Sequence, residues 1–147
     1  MADLTLKGTL DLAGSLTLTP PPGGKLKIGD AGLEALVEVL PTDPPQCSKA
    51  SPVMLPPPPA GPLQPQPTAW IVNSFNKTVM VRGKYIAALG MVMQGQTPTP
   101  LWPGMLLPSV ANPKEVTINH VPINVVNDQA VIFPSGGSAA FDRSGQP

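Results

Sequence analysis

One histidine, His120, and one cysteine, Cys47, are the residues in this chain best suited to chemistry. Brought together, they could form a thiolate–imidazole pair for nucleophilic catalysis or share a soft metal ion. A serine triad would instead need His120 with a carboxylate such as Asp128 and an activated serine. No Gly-x-Ser-x-Gly elbow is present to present such a serine. One Cys and one His also fall short of the four ligands of a closed zinc site. The remaining carboxylates are scattered without paired spacing, and Gly23-Gly24 and Gly136-Gly137 do not lead into the Lys-Ser/Thr of a phosphate-binding loop. The blander assignment is a buried thiol and a turn histidine. The sequence therefore predicts a non-enzymatic protein with no catalytic residue and no small-molecule substrate.

The elements that must position these residues are strands. In Val116 to Ile132, apolar Val116, Ile118, Ile123, Val125 and Val126 alternate with the polar turns Asn119-His120 and Asn127-Asp128. This is the pattern of short strands folded through tight turns. An earlier stretch matches it at an offset of 37 residues (116 − 79), Val79 to Gly90 lying over Val116 to Asn127. Apolar meets apolar at Val79/Val116, Val81/Ile118, Ile86/Ile123, Ala88/Val125 and Leu89/Val126, and Arg82-Gly83 lies over Asn119-His120. Two readings stay open: a repeated strand–turn–strand unit, or two unrelated hairpins that look alike by necessity.

The N-terminus shows a second regularity. Leu4, Leu6, Leu10, Leu12, Leu16 and Leu18 recur in three Leu-x-Leu-x-Gly-x-like hexads, with mainly polar residues between them. That is a β period with one apolar and one wet face. A single straight strand of this length would run roughly 50 Å, so Gly8 and Gly14 are the natural bends. Hexads of this kind turn the corners of a three-sided prism; ordinary bends in one amphipathic strand are the alternative. Residues 31–40 fit either a helix capped by Asp30, with Leu33, Leu36, Val37 and Leu40 as its stripe, or a strand through Ala35, Val37 and Val39.

Composition bounds the rest. With 147 residues, the chain is read as one domain, 1–147, with a Pro-rich connection over 41–67 and a Gly/Ser-rich tail over 134–147. The tail is either loosely ordered or pinned by Phe141. The chain's 22 prolines and 14 glycines imply short strands joined by stiff loops. Lys+Arg and Asp+Glu are 9 each, and charged residues make up only 12%. A neutral surface argues against a nucleic-acid partner, which would demand a basic face. So few charges also suggest that a partner covers much of the surface. One cysteine allows no intrachain disulfide. No cationic–apolar leader opens the sequence, and no apolar run approaches the roughly 18 residues of a membrane span. Synthesis in the cytoplasm without a signal peptide is the expectation. Asn76-Lys77-Thr78 fits a glycosylation acceptor, but that chemistry is not expected without secretion.

A small, Pro- and Gly-rich β chain with units of the kind Val-x-Val-x-Gly-x-x-Ile-Ala-x-Leu-Gly resembles the PAAR-like proteins, the spike tips of contractile injection systems. Val79 to Gly90 and Val116 to Asp128 carry the likeness, and Lys25 to Asp30 more loosely. The resemblance implies a mainly β fold: a cone or prism of short hairpins in pseudo-threefold arrangement with long Pro-rich loops and at most one short helix. It implies a structural role as the tip of a phage-tail-like particle, one copy capping a trimeric β-helical spike protein. Transient contact with the target membrane during puncture, carriage of effector cargo, and release in an extracellular particle go with it. The six N-terminal leucines are the candidate partner interface. Many members hold a metal at the apex with three His and one Cys; here a single zinc or iron ion would have only His120 and Cys47. The runner-up function is a baseplate or tail adaptor that binds by strand pairing.

Overall fold

The computed structural model describes residues 4–11, 14–22, 24–53, 64–66, 68–88, 91–95, 102–112, 115–132 and 137–146. Among them there is no helix, only sixteen short strands. In chain order these are β1 (Thr5–Leu6), β2 (Gly8–Leu10), β3 (Leu16–Leu18), β4 (Lys27–Ile28), β5 (Leu33–Glu34), β6 (Ala50–Val53), β7 (Gln64–Gln66) and β8 (Ala69–Ser74). They continue with β9 (Val79–Val81), β10 (Lys84–Tyr85), β11 (Met91–Gly95), β12 (Trp102–Leu106), β13 (Val116–Ile118), β14 (Val121–Pro122), β15 (Gln129–Ile132) and β16 (Gly137–Ala140).

Three hairpins, β4–β5, β9–β10 and β13–β14, are copies of one unit. In each, the residue after the second strand donates its N–H to the residue that opens the unit: Ala35 to Leu26, Ile86 to Val79, and Ile123 to Val116. The turns Arg82-Gly83 and Asn119-His120 have positive φ at both positions, the geometry that matches strand twist in two-residue hairpins. The first hairpin spans four residues, Gly29 to Gly32, between Ile28 and Leu33.

The hairpins close on one another in a triangle. Leu36 N–H donates to the Asn124 carbonyl, Asn124 N–H to that of Ala87, and Ala87 N–H to that of Leu36. Bridges Ala35–Val125, Val37–Ile86 and Ala88–Ile123 lie beside these bonds. The repeat is therefore threefold and built from one chain, and residues 31–40 supply its first copy as extended backbone rather than a helix. Side chains alternate across the triangle. Ala35, Val37, Ile86, Ala88, Ile123 and Val125 join the core between the hairpins, while Leu36 and Ala87 face a second core.

A buried amide clamps each unit at the same place. Asn76 donates to the carbonyls of Val79 and Ile86 and accepts from Val79 N–H. Asn112 does the same for Val116 and Ile123. The first hairpin has no local equivalent; Gln146 reaches it from the far end of the chain, accepting from Leu26 N–H and donating to the carbonyls of Leu26 and Ala35. Three backbones bend alike here, each leaving one N–H and one C=O to be paired, beside a second C=O with room for another donor, and a single amide serves all three.

Beyond the triangle lies a seven-stranded antiparallel sheet in the order β7-β6-β16-β15-β12-β11-β8. Cys47, just ahead of β6, bridges to Ala69 in β8, which curls the sheet round on itself. The sheet encloses Cys47, Ala69, Ile71, Leu106, Ala130 and Phe141, small residues around one aromatic. Phe141 is fully buried, so the described part of the tail is pinned. Buried Gln46 holds it there: its carbonyl accepts from Asp142 and Arg143 N–H, and its side chain donates to the Ser144 carbonyl.

On the opposite side of the hairpins, the N-terminal strands make one circuit. β1 pairs in parallel with β4, β2 with β13 and β3 with β9, one strand on each face. The hexads do not set its period. The second face is Gly8-Thr9-Leu10 rather than the second leucine pair, because the chain turns after Lys7 alone, then takes residues 11–15 to reach β3. Gly8 sits in the left-handed region, as a bend requires, and Leu12 lies outside the described residues.

Candidate functional site

His120 and Cys47 occupy different parts of the molecule. His120 is the second residue of a hairpin turn; its side chain is 86% exposed, and its imidazole Nε2 lies 3.8 Å from an Asp11 carboxylate oxygen. Cys47 is wholly buried in the core under the seven-stranded sheet, and burial pushes its thiol above the ordinary 9.0. A thiol that resists ionisation is a poor nucleophile and ligand. Cys47 is expected to resist maleimide at neutral pH in the native protein and to react fully once unfolded, followed by intact mass. Rapid native labelling would show that this core opens.

Asp128 is also committed elsewhere. Its carboxylate accepts from Ser109 Oγ, the Asn124 side chain and Val125 N–H, and so braces the third unit. Among the described residues, no group of three or more His, Cys, Asp or Glu stands close enough to hold a metal ion. The acceptor Asn76 is buried, and its amide nitrogen is spent on the hairpin clamp. His120 carries a left-handed backbone that a β-carbon disfavours by about 1 kcal/mol. His120→Gly is therefore expected to raise stability by about that amount, read as an upward shift in Tm. A fall in Tm would reveal a structural job for the imidazole.

Among the described residues, the clefts between elements are lined by neither His120 nor Cys47. One cleft, about 490 Å³, lies beside the tail and is lined by Lys25, Glu34, Asp43, Lys84 and Arg143. Four of its charges are paired, Lys84 with Asp43 at 3.0 Å and Lys25 with Glu34 at 3.5 Å. Lys84 and the N–H of Leu40 hold the Asp43 carboxyl below its usual value. A second cleft, about 260 Å³, is lined by Phe75, Ala88, Ile118 and Val121.

The N-terminal circuit is the other distinctive surface. Leu4, Leu6, Leu10 and Leu18 pack against the hairpin core but remain half-buried, and Leu16 is likewise half-buried. Thr5, Lys7, Thr9, Ser15 and Thr17 between them are exposed. A leucine layer closing a core from below would normally be covered, since each buried leucine gains about 2 kcal/mol over an exposed one. Here each of the three small sheets stops at an N-terminal strand. The alternation in the sequence was enough to find the leucines. What it could not reveal is that they share one end of a threefold stack.

No protein-family model matches the chain, and no curated protein or solved structure matches it either.

Proposed function

We propose that this protein is the structural tip of the central spike of a contractile injection system, a non-enzymatic cap seated on a trimeric β-helical spike protein. The observation that carries the reading is the triangle of hydrogen bonds joining Leu36, Asn124 and Ala87. One chain thereby gains three equivalent faces, the symmetry needed to end a threefold shaft with a single copy. Rigidity supports the same reading. The prolines restrict the unfolded chain, and clamped hairpins leave little to move under load. Reactive groups are dispersed rather than gathered, as a passive point permits.

Native mass measurement of the complex formed with the spike protein tests this. One copy per three spike chains is expected; one copy per spike chain would favour a baseplate or tail adaptor. Chelation is expected to leave Tm unchanged, because His120 and Cys47 sit in separate surroundings; a clear fall would indicate a zinc or iron ion at the apex.

A further inference from the structure

We infer that the cleft beside the tail binds a peptide carboxylate, gripped by the Arg143 guanidinium and the N–H groups of Ser144 and Gly145. This goes beyond the spike-tip reading and does not rest on it, since no described residue of the N-terminal circuit lines the cleft.

Three cations, Lys25, Lys84 and Arg143, line the space with three carboxylates, Glu34, Asp43 and Asp142. Both lysines have partners, Glu34 and Asp43. Asp142 accepts from Ser48 Oγ. Arg143 is the remaining charge, and among the described residues its guanidinium makes no hydrogen bond or ion pair. Its side chain is exposed, but the backbone that carries it is fixed. Arg143 N–H donates to the Gln46 carbonyl, and the Ser144 carbonyl accepts from Val37 N–H and the Gln46 side chain.

The backbone supplies further donors. Among the described residues, the N–H groups of Ser144 and Gly145 have no acceptor, although Ser144 is only 2% exposed. Buried amides are ordinarily paired, so a donor in this place points to a bound acceptor. Gly145 has φ +81°, and successive N–H groups about a left-handed residue form the concave nests that hold anions. Beside them an arginine fork offers two parallel donors matched to a carboxylate.

The other lining residues choose the ligand. Three carboxylates share the cleft with no surplus cation, so the second charge of a phosphate meets repulsion that a singly charged carboxylate avoids. Val39, Pro44 and Pro45 give an apolar wall for the chain that carries the carboxylate. A volume of about 490 Å³ lies within the usual range of ligand sites, roughly 300–1,000 Å³. A peptide's C-terminus and a glutamate side chain present the same group, and either source fits this chemistry.

The test follows the Ser144 and Gly145 amide resonances of the ¹⁵N-labelled full chain during titration. The probes are N-acetyl-Leu-Leu, its C-terminal amide, N-acetyl-glutamic acid α-amide and inorganic phosphate. One carboxylate is a single anchor, so a Kd of about 1 mM is expected for a peptide acid. The tighter of the two acids names the source, chain end or side chain. The dipeptide amide and phosphate are expected to bind at least about tenfold more weakly. Arg143→Gln is expected to weaken the acids about tenfold and to leave Tm unchanged, because its side chain supports nothing else; Arg143→Lys, which keeps the charge but not the fork, should fall between. The inference is overturned if neither amide shifts at about 10 mM acid, tenfold above that Kd. Equal binding of the dipeptide amide, tighter binding of phosphate, or indifference to Arg143→Gln would overturn it as well.

Discussion

Asn112→Ala is expected to destabilise the protein by about 3 kcal/mol, because it strands the buried Val116 N–H and Ile123 carbonyl at the mouth of the third hairpin and takes one of two bonds from the Val116 carbonyl. Asn112→Asp keeps the acceptor for Val116 N–H but aims a carboxylate at the carbonyls of Val116 and Ile123. Its signature is a pH dependence. With no cation among its contacts, the buried carboxyl has a folded-state pKa above the unfolded value of about 3.9. Stability is then greatest in acid, falls as pH rises through the unfolded pKa, and levels off above the folded one. Chemical denaturation at two pH values would reveal this. The decisive comparison is Gln146→Ala, which strips the same three contacts from the first hairpin although Gln146 stands 120 residues from Leu26. A loss comparable to that of Asn112→Ala is expected. A loss below about 1 kcal/mol, the range of an ordinary surface change, would mean that the clamp at the first hairpin is dispensable.

Phe141→Ala is expected to cost about 4 kcal/mol, the usual range for emptying a fully buried aromatic site. It should do more than leave a cavity. Phe141 exchanges backbone bonds with Asn127 and Asp128 just ahead of the segment that Gln46 and Gln146 hold. Loss of the ring should therefore speed hydrogen exchange at Val37 and Leu26, whose amides donate to Ser144 and Gln146. Gly145→Ala attacks the same segment sterically: a β-carbon there would meet Val39 at 2.7 Å and the Gln46 amide at 2.8 Å, on a backbone with φ +81°. Exchange confined to β15 and β16 in Phe141→Ala would show that the tail and the hairpins are not coupled.

The second and third hairpins were legible in the sequence because alternation and two-residue turns are local signals. Val79 to Ala88 and Val116 to Val125 carry both. The first copy was half hidden. Its four-residue turn, Gly29 to Gly32, shifts the pattern, and Leu36 interrupts the apolar alternation because it faces the other core. That one residue made 31–40 look helical. Asn76 and Asn112 are ordinary loop residues by type, and nothing local marks Gln146 as their counterpart. Its meaning exists only once both ends of the chain meet. The leucine hexads fitted either a prism or one amphipathic strand with ordinary bends, and their spacing is out of step with the faces, since corner lengths answer to the hairpins beneath them.

The reach of Gln146 back to Leu26 also sets a timetable. During synthesis the first hairpin stays unclamped until Gln146, 120 residues after Leu26, has emerged from the ribosome. Contacts so distant in sequence slow folding, typically to milliseconds or seconds. A translation product that stops short of Gln146 should lack the amide that holds Leu26 and Ala35 in register, and so leave one of the three hairpins open.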